Sequence, residues 1–372
     1  MTGRASDFSL RRAGFGELPG WAEENPSGLF QGMLASLEHV RSVKPYRSGS
    51  LGLKTEEILP IYEAVAAGVP EGALAARGFF EEHFQPFLIR PADDVSGLVT
   101  GFYEPEVEVS ASPSSVWAHP FYRRPPELID ISTEHRPAEL EAYAYGRRHN
   151  GTIGPYPDRR DIDRGYLAGR GLEIAWARSR VDVFFAHVQG AARLRFPDGS
   201  LQRITYAAKS GHPFSGIGRL LVDRGQIDAA TVSMQTIRTW LAGNPERIDE
   251  VLWHNRSYIF FREAAVEDPA LGPVAAAKVP LLPGRSLAVD RTIHTFGFPF
   301  YVHAPTLTHL DGGRPFSRTL LALDTGSAIV GPARGDIFTG SGDAAGELAG
   351  TVRNAAEFYI LIPKTVAARY GG

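Results

Sequence analysis

Beyond about residue 270 the chain is written in short apolar runs closed by glycine, proline or aspartate: VPLLPGRSLAVD, GFPFYVHAP, TLLALDTGSAIVG, GDIFTGSG and FYILIP. Runs of this length suit strands and are too short for helices. Strands that follow one another so closely must cover their unpaired edges, and closing the sheet on itself removes them. The tail therefore reads as a small closed β-barrel.

The other end of the chain has a different rhythm. In NPSGLFQGMLASLEHVR the residues Leu29, Met33, Leu34, Leu37 and Val40 share one helical face, with Ser27 as the expected cap. KTEEILPIYEAVAAG opens at a second expected cap, Thr55, and carries Pro60, which is expected to kink the helix or end its first part. PEGALAARGFFEEHF reads as a third helix with Pro70 near its first turn. SGLVTGFYEPEVEVS then alternates Val107 and Val109 against Glu106 and Glu108, as a strand does. Between about 110 and 265 strands and helices mix. RPAELEAYAYGRRHN reads as helix, ARLRFPDGSLQRITYAA as a hairpin about Pro197-Asp198-Gly199, and DAATVSMQTIRTWLAGNPERIDEVLWHN as two helices broken at 243–245. At 372 residues the chain exceeds one ordinary core, so two domains, or one with a large insertion, are expected.

Composition narrows the function. The net charge is −3, and nothing in the chain attracts nucleic acid strongly. There is no cysteine, which removes disulfides, thiolate-bound zinc and thiol nucleophiles together. No stretch approaches the roughly 18 consecutive apolar residues of a transmembrane helix. The opening residues, MTGRASDFSLRRAGFGELPGW, lack the apolar centre of a signal peptide. The 11 histidines include no HExxH pair and no convincing ligand frame, and there is neither a GxSxG elbow nor an SxxK. GSGDAAG at 340–346 has the spacing GxGxxxG with no room behind it for a dinucleotide fold, and reads better as turn glycines before a helix. No metal and no organic cofactor is expected.

Carboxylates are what remain. In LDTGSAIVGPARGDIF, Asp324 follows the apolar strand TLLAL, and Asp336 precedes the apolar pair Ile337-Phe338; Asp290 lies upstream in SLAVDRTIHTFGFPF. An acid at the mouth of a buried strand is partly desolvated, which raises its pKa and favours the protonated form. A protonated carboxyl can donate to a leaving oxygen, the first act of glycoside cleavage. Gly326, Ser327, Ala328, Gly331, Gly335 and Gly340 would let a bulky chain approach the backbone. A plainer reading is also open, with Asp324 in an Asx-turn through Thr325-Gly326 and Asp336 capping a loop.

The strings LAVDRTIHTFG, LDTGSAIVGPARGDIFTGSGDAAGELAG and FYILIP closely resemble the "3D" region, named for three aspartates, of the membrane-bound lytic murein transglycosylase A family. FGELPGW, VTGFYEP, FFAHVQGAARLRFPDG, YAAKSGHPFSGIGRLLVDRG and NRSYIFF resemble further family segments in the same order, so the similarity covers nearly the whole chain. It implies a mainly β fold with N-terminal helices. A double-psi β-barrel domain, from 1–108 and 268–372, would carry an inserted β-rich domain, 109–267, across a substrate groove.

The chemistry implied is cleavage of the β-1,4 bond between N-acetylmuramic acid and N-acetylglucosamine in peptidoglycan. No water is added: the muramyl C6 hydroxyl attacks C1 and leaves a 1,6-anhydro end. By position in the motif, Asp336 matches the family's catalytic aspartate, acting as acid and then base; Asp324 would assist, and Asp290 would assist or be structural. The matching segments offer Thr100, Tyr103, Gln189, Lys209, Ser215, Arg219, Asn255, Ser257 and Tyr258 as glycan contacts, and leave His212 a turn residue. The partner implied is the glycan strand. The location implied is the periplasm, with outer-membrane association usual in the family through a lipidated cysteine that this sequence does not contain. Two rival readings stay open. One is an inverting hydrolase of the same polymer in which Asp324 activates water; the other is an expansin-like module that binds wall glycan without cutting it.

Overall fold

The computed structural model describes residues 8–92, 95–132, 136–141, 143–149 and 151–370. The chain opens with β1 (Phe8–Arg12), α1 (Phe30–Ser42), α2 (Thr55–Ala67), α3 (Gly72–His83), β2 (Phe84–Pro91) and β3 (Gly97–Glu104). The middle carries β4 (Glu106–Ser110), β5 (His119–Tyr122), β6 (Leu128–Asp130), β7 (Tyr145–His149), β8 (Thr152–Gly154), β9 (Glu173–Ala177), β10 (Ala191–Arg195), β11 (Leu201–Lys209) and β12 (Ile259–Ala264). It closes with β13 (Ser286–Val289), β14 (Pro299–Ala304), β15 (Phe316–Asp324), β16 (Arg334–Ser341) and β17 (Arg353–Pro363). The residues divide into two compact units. The first holds the chain up to Tyr103, Ala270–Gly340 and the stretch from Thr351; the second holds Glu104–Pro269 and Ser341–Gly350.

In the first unit β17, β14, β15, β13, β16 and β3 are neighbours in that order, and β3 pairs back onto β17. Six strands thus close into a ring, and β2 and β1 extend the sheet from β17. Closure is what the short apolar runs of the tail require, because each then has a partner on both sides. The runs are buried on both faces: Leu320, Leu321, Ala322 and Leu323 of β15 are all inaccessible. Part of the outer cover is α1, whose Phe30, Met33 and Leu37, with Leu29 just before it, join the ring in one apolar core. Gly32 permits the close approach, since a Cβ there would lie 2.7 Å from Leu282 Cδ1 and 3.0 Å from Leu321 Cδ2.

The helix ends differ from expectation. Asn25, rather than Ser27, caps the turn before α1 by accepting from the Ser27 amide, because its side chain reaches two residues forward. Thr55 is the first helical residue; its hydroxyl donates to the Tyr46 carbonyl and accepts from the Tyr46 amide. Pro60 lies inside α2 without ending it, since its missing N–H costs only one bond of the ladder.

The second unit has the sheet order β12-β11-β10-β4-β9-β5. Arg123, just past β5, forms a parallel bridge to Phe261 of β12, joining the two edges. Its guanidinium holds Glu263 at 2.6 Å and donates to the Glu173 carbonyl at 2.7 Å. The hairpin about 197–199 forms as expected, pairing Ala191 with Thr205 through Arg195 with Leu201. RPAELEAYAYGRRHN is not a helix: it makes one 3-10 turn, Ala138–Leu140, and then β7, whose strand register with β6 and β8 overrides its helical pattern; residues 142 and 150 lie outside the described ones. The insert is also less purely β than expected. Helices Arg180–Gln189, Ile217–Asp223, Met234–Gly243 and Ile248–His254 share a core of Phe184, Phe185, Leu221, Leu241, Val251 and Leu252. Among the described residues no helix is long and apolar enough to cross a membrane.

Candidate active site

Strand alternation sets the site. In Arg334-Gly335-Asp336 on β16, the Gly335 α-carbon faces the barrel filling: a Cβ would lie 2.7 Å from both Leu287 Cδ1 and Phe358 Cε1. Successive residues of a strand point to opposite faces, so Arg334 and Asp336 share the other face, the outer wall. On that wall Asp336 Oδ1 accepts the Thr100 hydroxyl from β3 at 2.5 Å. Thr100 Oγ1 in turn accepts from Arg334 Nη2 at 2.8 Å. Among the described residues Thr100 is the one hydrogen-bond partner of the Asp336 carboxyl. Burial pushes the pKa of Asp336 up, and the Thr100 bond and the Arg334 charge pull it back only in part.

Asp324 ends β15 on the far side of β13. Ala288 is the register partner of both acids, of Asp336 across the antiparallel pair and of Asp324 across the parallel one. One small residue therefore separates the two strands that carry them. Asp324 Oδ1 accepts from the Ala276 amide at 3.1 Å. Its pKa is raised to about 6, first by burial and further by the Asp336 charge, against the amides of Ala276 and Thr325 and the Lys278 charge. The Asx-turn reading covers only part of its role, since the carboxyl ties the 276 backbone rather than Gly326.

Asp290 is used up. Its Oδ1 accepts from the Thr292 amide at 2.9 Å and the Thr292 hydroxyl at 2.6 Å, and its Oδ2 accepts from the Gly331 amide at 2.8 Å. The residue is 6% exposed. Its bonds close a turn after β13 and tether the loop that leads into β16.

The expected glycan contacts fall into separate groups. Thr100 stands at the acid, and Tyr103, on the same strand, is buried. In the second unit Tyr258 is a core residue, 2% exposed, its ring centroid 4.3 Å from that of His187. Asn255 and Ser257 are internal too: Asn255 Oδ1 accepts from the amides of Ser215 and Ser257, and the Ser257 carbonyl accepts from the buried Arg159 at 2.6 Å. All three are buried and held by contacts within the second unit. Ser215 is half-buried beside Asn255, and Gln189 ends its helix half-buried. Arg219 is exposed and paired with Asp223 at 2.7 Å along one helix face. Lys209, at the end of β11, is half-buried, with its pKa lowered by desolvation. His212 is a turn anchor, its Nε2 2.7 Å from the Tyr156 carbonyl.

The profile of the 3D domain matches residues 285–362, and that of the MltA specific insert domain matches 98–262. The crystal structure of a membrane-bound lytic murein transglycosylase from Agrobacterium tumefaciens is similar over 97% of this chain and 99% of that one, at 61% identity and a TM-score of 0.92. The chain belongs to the membrane-bound lytic murein transglycosylase family. Membrane-bound lytic murein transglycosylase A of Vibrio cholerae is 33% identical over 258 residues; the match spans 68% of this chain and 62% of that relative's length. The structure of MltA from Neisseria gonorrhoeae is similar at 29% identity over 96% of this chain and 95% of its own, with a TM-score of 0.76.

Against this family background two groups of residues stand out that the motif alone does not mark. Arg334 reaches Thr100, and its signal is the two-residue spacing to Asp336 on a strand. The other group surrounds Glu104, which is fully buried and accepts from Arg193 at 2.9 Å, Arg203 at 2.5 Å and Ser341 at 2.7 Å. Its signal is weak, because the four residues are scattered over more than two hundred positions.

Proposed function

We propose that this chain is a lytic transglycosylase that opens the β-1,4 MurNAc–GlcNAc bond of peptidoglycan and leaves 1,6-anhydro-MurNAc ends. The observation that carries the reading is Asp336: a desolvated carboxyl with one oxygen held by Thr100 and the other, among the described residues, without a protein partner. In the first step the proton of Asp336 passes to the bridging oxygen as the C1–O bond breaks. In the second the C6 hydroxyl of the same sugar attacks C1, and its proton returns to Asp336. Atoms balance without water, and the nucleophile gains from being part of the substrate. Asp324, ionised above about pH 6, supplies negative charge for the oxocarbenium-like state from two strands away. Asp290 acts only through the backbone it ties.

The closed ring is on this reading a double-psi β-barrel. The unit that holds the ring is then the catalytic domain, and the unit of Glu104–Pro269 with Ser341–Gly350 the insert. The substrate argues for the periplasm and for attachment to the outer membrane; the Vibrio cholerae relative is named membrane-bound.

The test is Asp336→Asn on purified peptidoglycan with mass spectrometry of the soluble products. Anhydro-muropeptides from the wild type and none from the variant, with sedimentable binding retained, are expected. Wild-type release by the variant refutes the acid. Products heavier by one water make the enzyme a hydrolase, and intact sacculi with binding retained make it a glycan-binding module.

A further inference from the structure

Arg334 has no assigned part in the reaction, yet its geometry is restrictive. Its Nη1 donates to the Gly335 carbonyl of its own strand and lies 3.5 Å from the Leu98 carbonyl of β3. The guanidinium is thus clamped between two strands, and its Nη2 is aimed at Thr100 Oγ1, 2.8 Å away. A guanidinium can only donate, and a threonine hydroxyl has a single proton. Having accepted from Arg334, Thr100 turns that proton to Asp336 Oδ1, the 2.5 Å partner. Oδ1 is then an acceptor in both protonation states of the acid, and the travelling proton belongs on Oδ2.

We propose that Arg334 is a positioning residue: through Thr100 it reserves Oδ1 of Asp336 as an acceptor, so that Oδ2 alone gives the proton to the glycosidic oxygen and takes it back from the C6 hydroxyl. The inference rests on Asp336 being the acid. A second consequence is electrostatic, since the guanidinium charge favours the carboxylate that exists between the two steps. Without Arg334 the Thr100 hydroxyl is free to rotate, Asp336 has two equivalent sites for its proton, and the carboxylate loses a compensating charge.

The experiment compares wild type, R334Q, R334M, R334K, T100V, R334Q/T100V and D336N on a soluble peptidoglycan fragment, with kcat and KM followed across pH. R334Q is expected to lower kcat by about tenfold to a hundredfold, the range for a lost hydrogen bond to a charged partner, with KM little changed. The alkaline limb of kcat/KM moves to higher pH in R334Q and returns towards the wild-type position in R334K, which keeps the charge. If Arg334 acts through Thr100, the double variant is no slower than the worse single variant, whereas independent roles multiply.

A wild-type kcat and pH profile in R334Q, or multiplying losses in the double variant, overturns the proposal. R334M keeps the stem and removes every donor; should both R334Q and R334M fail to fold, Arg334 is structural and the proposal fails. D336N separates the two levels. An active D336N removes the acid itself, while an inactive D336N beside a wild-type-like R334Q removes only the role of Arg334.

Discussion

Asp324→Asn tests whether the barrel holds a carboxyl against its own preference for water. The carboxyl moves from 3.8, its ordinary value, to about 6 in the folded chain. At about 1.4 kcal/mol per tenfold, that difference makes the ionised side chain cost the fold about 3 kcal/mol. The sign follows from the raised value. Below 3.8 the group carries its proton folded or unfolded, and its contribution to stability is fully present. As pH rises towards about 6 the unfolded chain ionises first, and that contribution is lost. Asparagine keeps the oxygen that accepts from Ala276 and never ionises. The variant is therefore expected to be more stable than wild type by about 1 kcal/mol at pH 4.5 and about 3 kcal/mol at pH 7.5. Because the two units need not unfold together, the assay is hydrogen exchange of the slowest β15 amides by mass spectrometry. These amides should exchange about fivefold slower in the variant at pH 4.5 and roughly a hundredfold slower at pH 7.5, once intrinsic rates are divided out. Anhydro-product formation should fall in the same protein. A stability difference that does not change with pH, or a variant less stable than wild type at pH 7.5, refutes the reasoning.

Two further substitutions probe the supports of the site. Glu104→Ala leaves Arg193 and Arg203 charged and buried without their shared acceptor, and should destabilise the second unit by about 3–5 kcal/mol, read from urea unfolding by the fluorescence of Trp117, Trp176, Trp240 and Trp253. An unchanged midpoint would show the cluster to be dispensable. Asp290→Ala removes three hydrogen bonds to an acid that is 6% exposed and should cost about 2–3 kcal/mol, with kcat lowered through the loop that feeds β16. Retained stability with abolished cleavage would mean that Asp290 touches substrate.

What could be read from the chain alone tracks how local the cause is. The strands of the tail were legible because each run, such as Leu320–Leu323, is buried on both faces and contains no competing pattern. RPAELEAYAYGRRHN was misread because its strand forms against partners on β6 and β8, which its own side chains do not announce. At the site, the motif marked three aspartates but not their different hydrogen-bond partners. Saturation of Asp290 depends on Gly331, forty-one positions away, and the pull on Asp336 depends on Thr100, 236 positions away. The burial of Tyr258 was hidden for the same reason: whether an aromatic in a family-like segment is exposed or meets His187 edge-on depends on long-range packing. Arg334 was within reach, since Arg-Gly-Asp on a strand already puts the two charges on one face.

Three acids of one residue type are made unlike by their surroundings. Asp290 has both carboxyl oxygens engaged by donors, which ties the turn at Thr292 to the loop at Gly331. Asp324 has an amide partner, is half-buried and desolvated, and bears the charge of its neighbour, so it ionises late; on the proposed mechanism it acts as a field rather than a reagent. Asp336 has one oxygen held and one with no partner among the described residues, on a strand whose backbone is locked between β13 and β3. A reaction in which one carboxyl gives a proton and then recovers another needs that asymmetry: the held oxygen keeps the other in place through both steps, because the group cannot be repositioned between them. The glycine before it is part of the same device. Any side chain at position 335 would meet Leu287 and Phe358 and push β16 outwards, and with it the Asp336 oxygen that, on the proposed mechanism, meets the glycosidic bond.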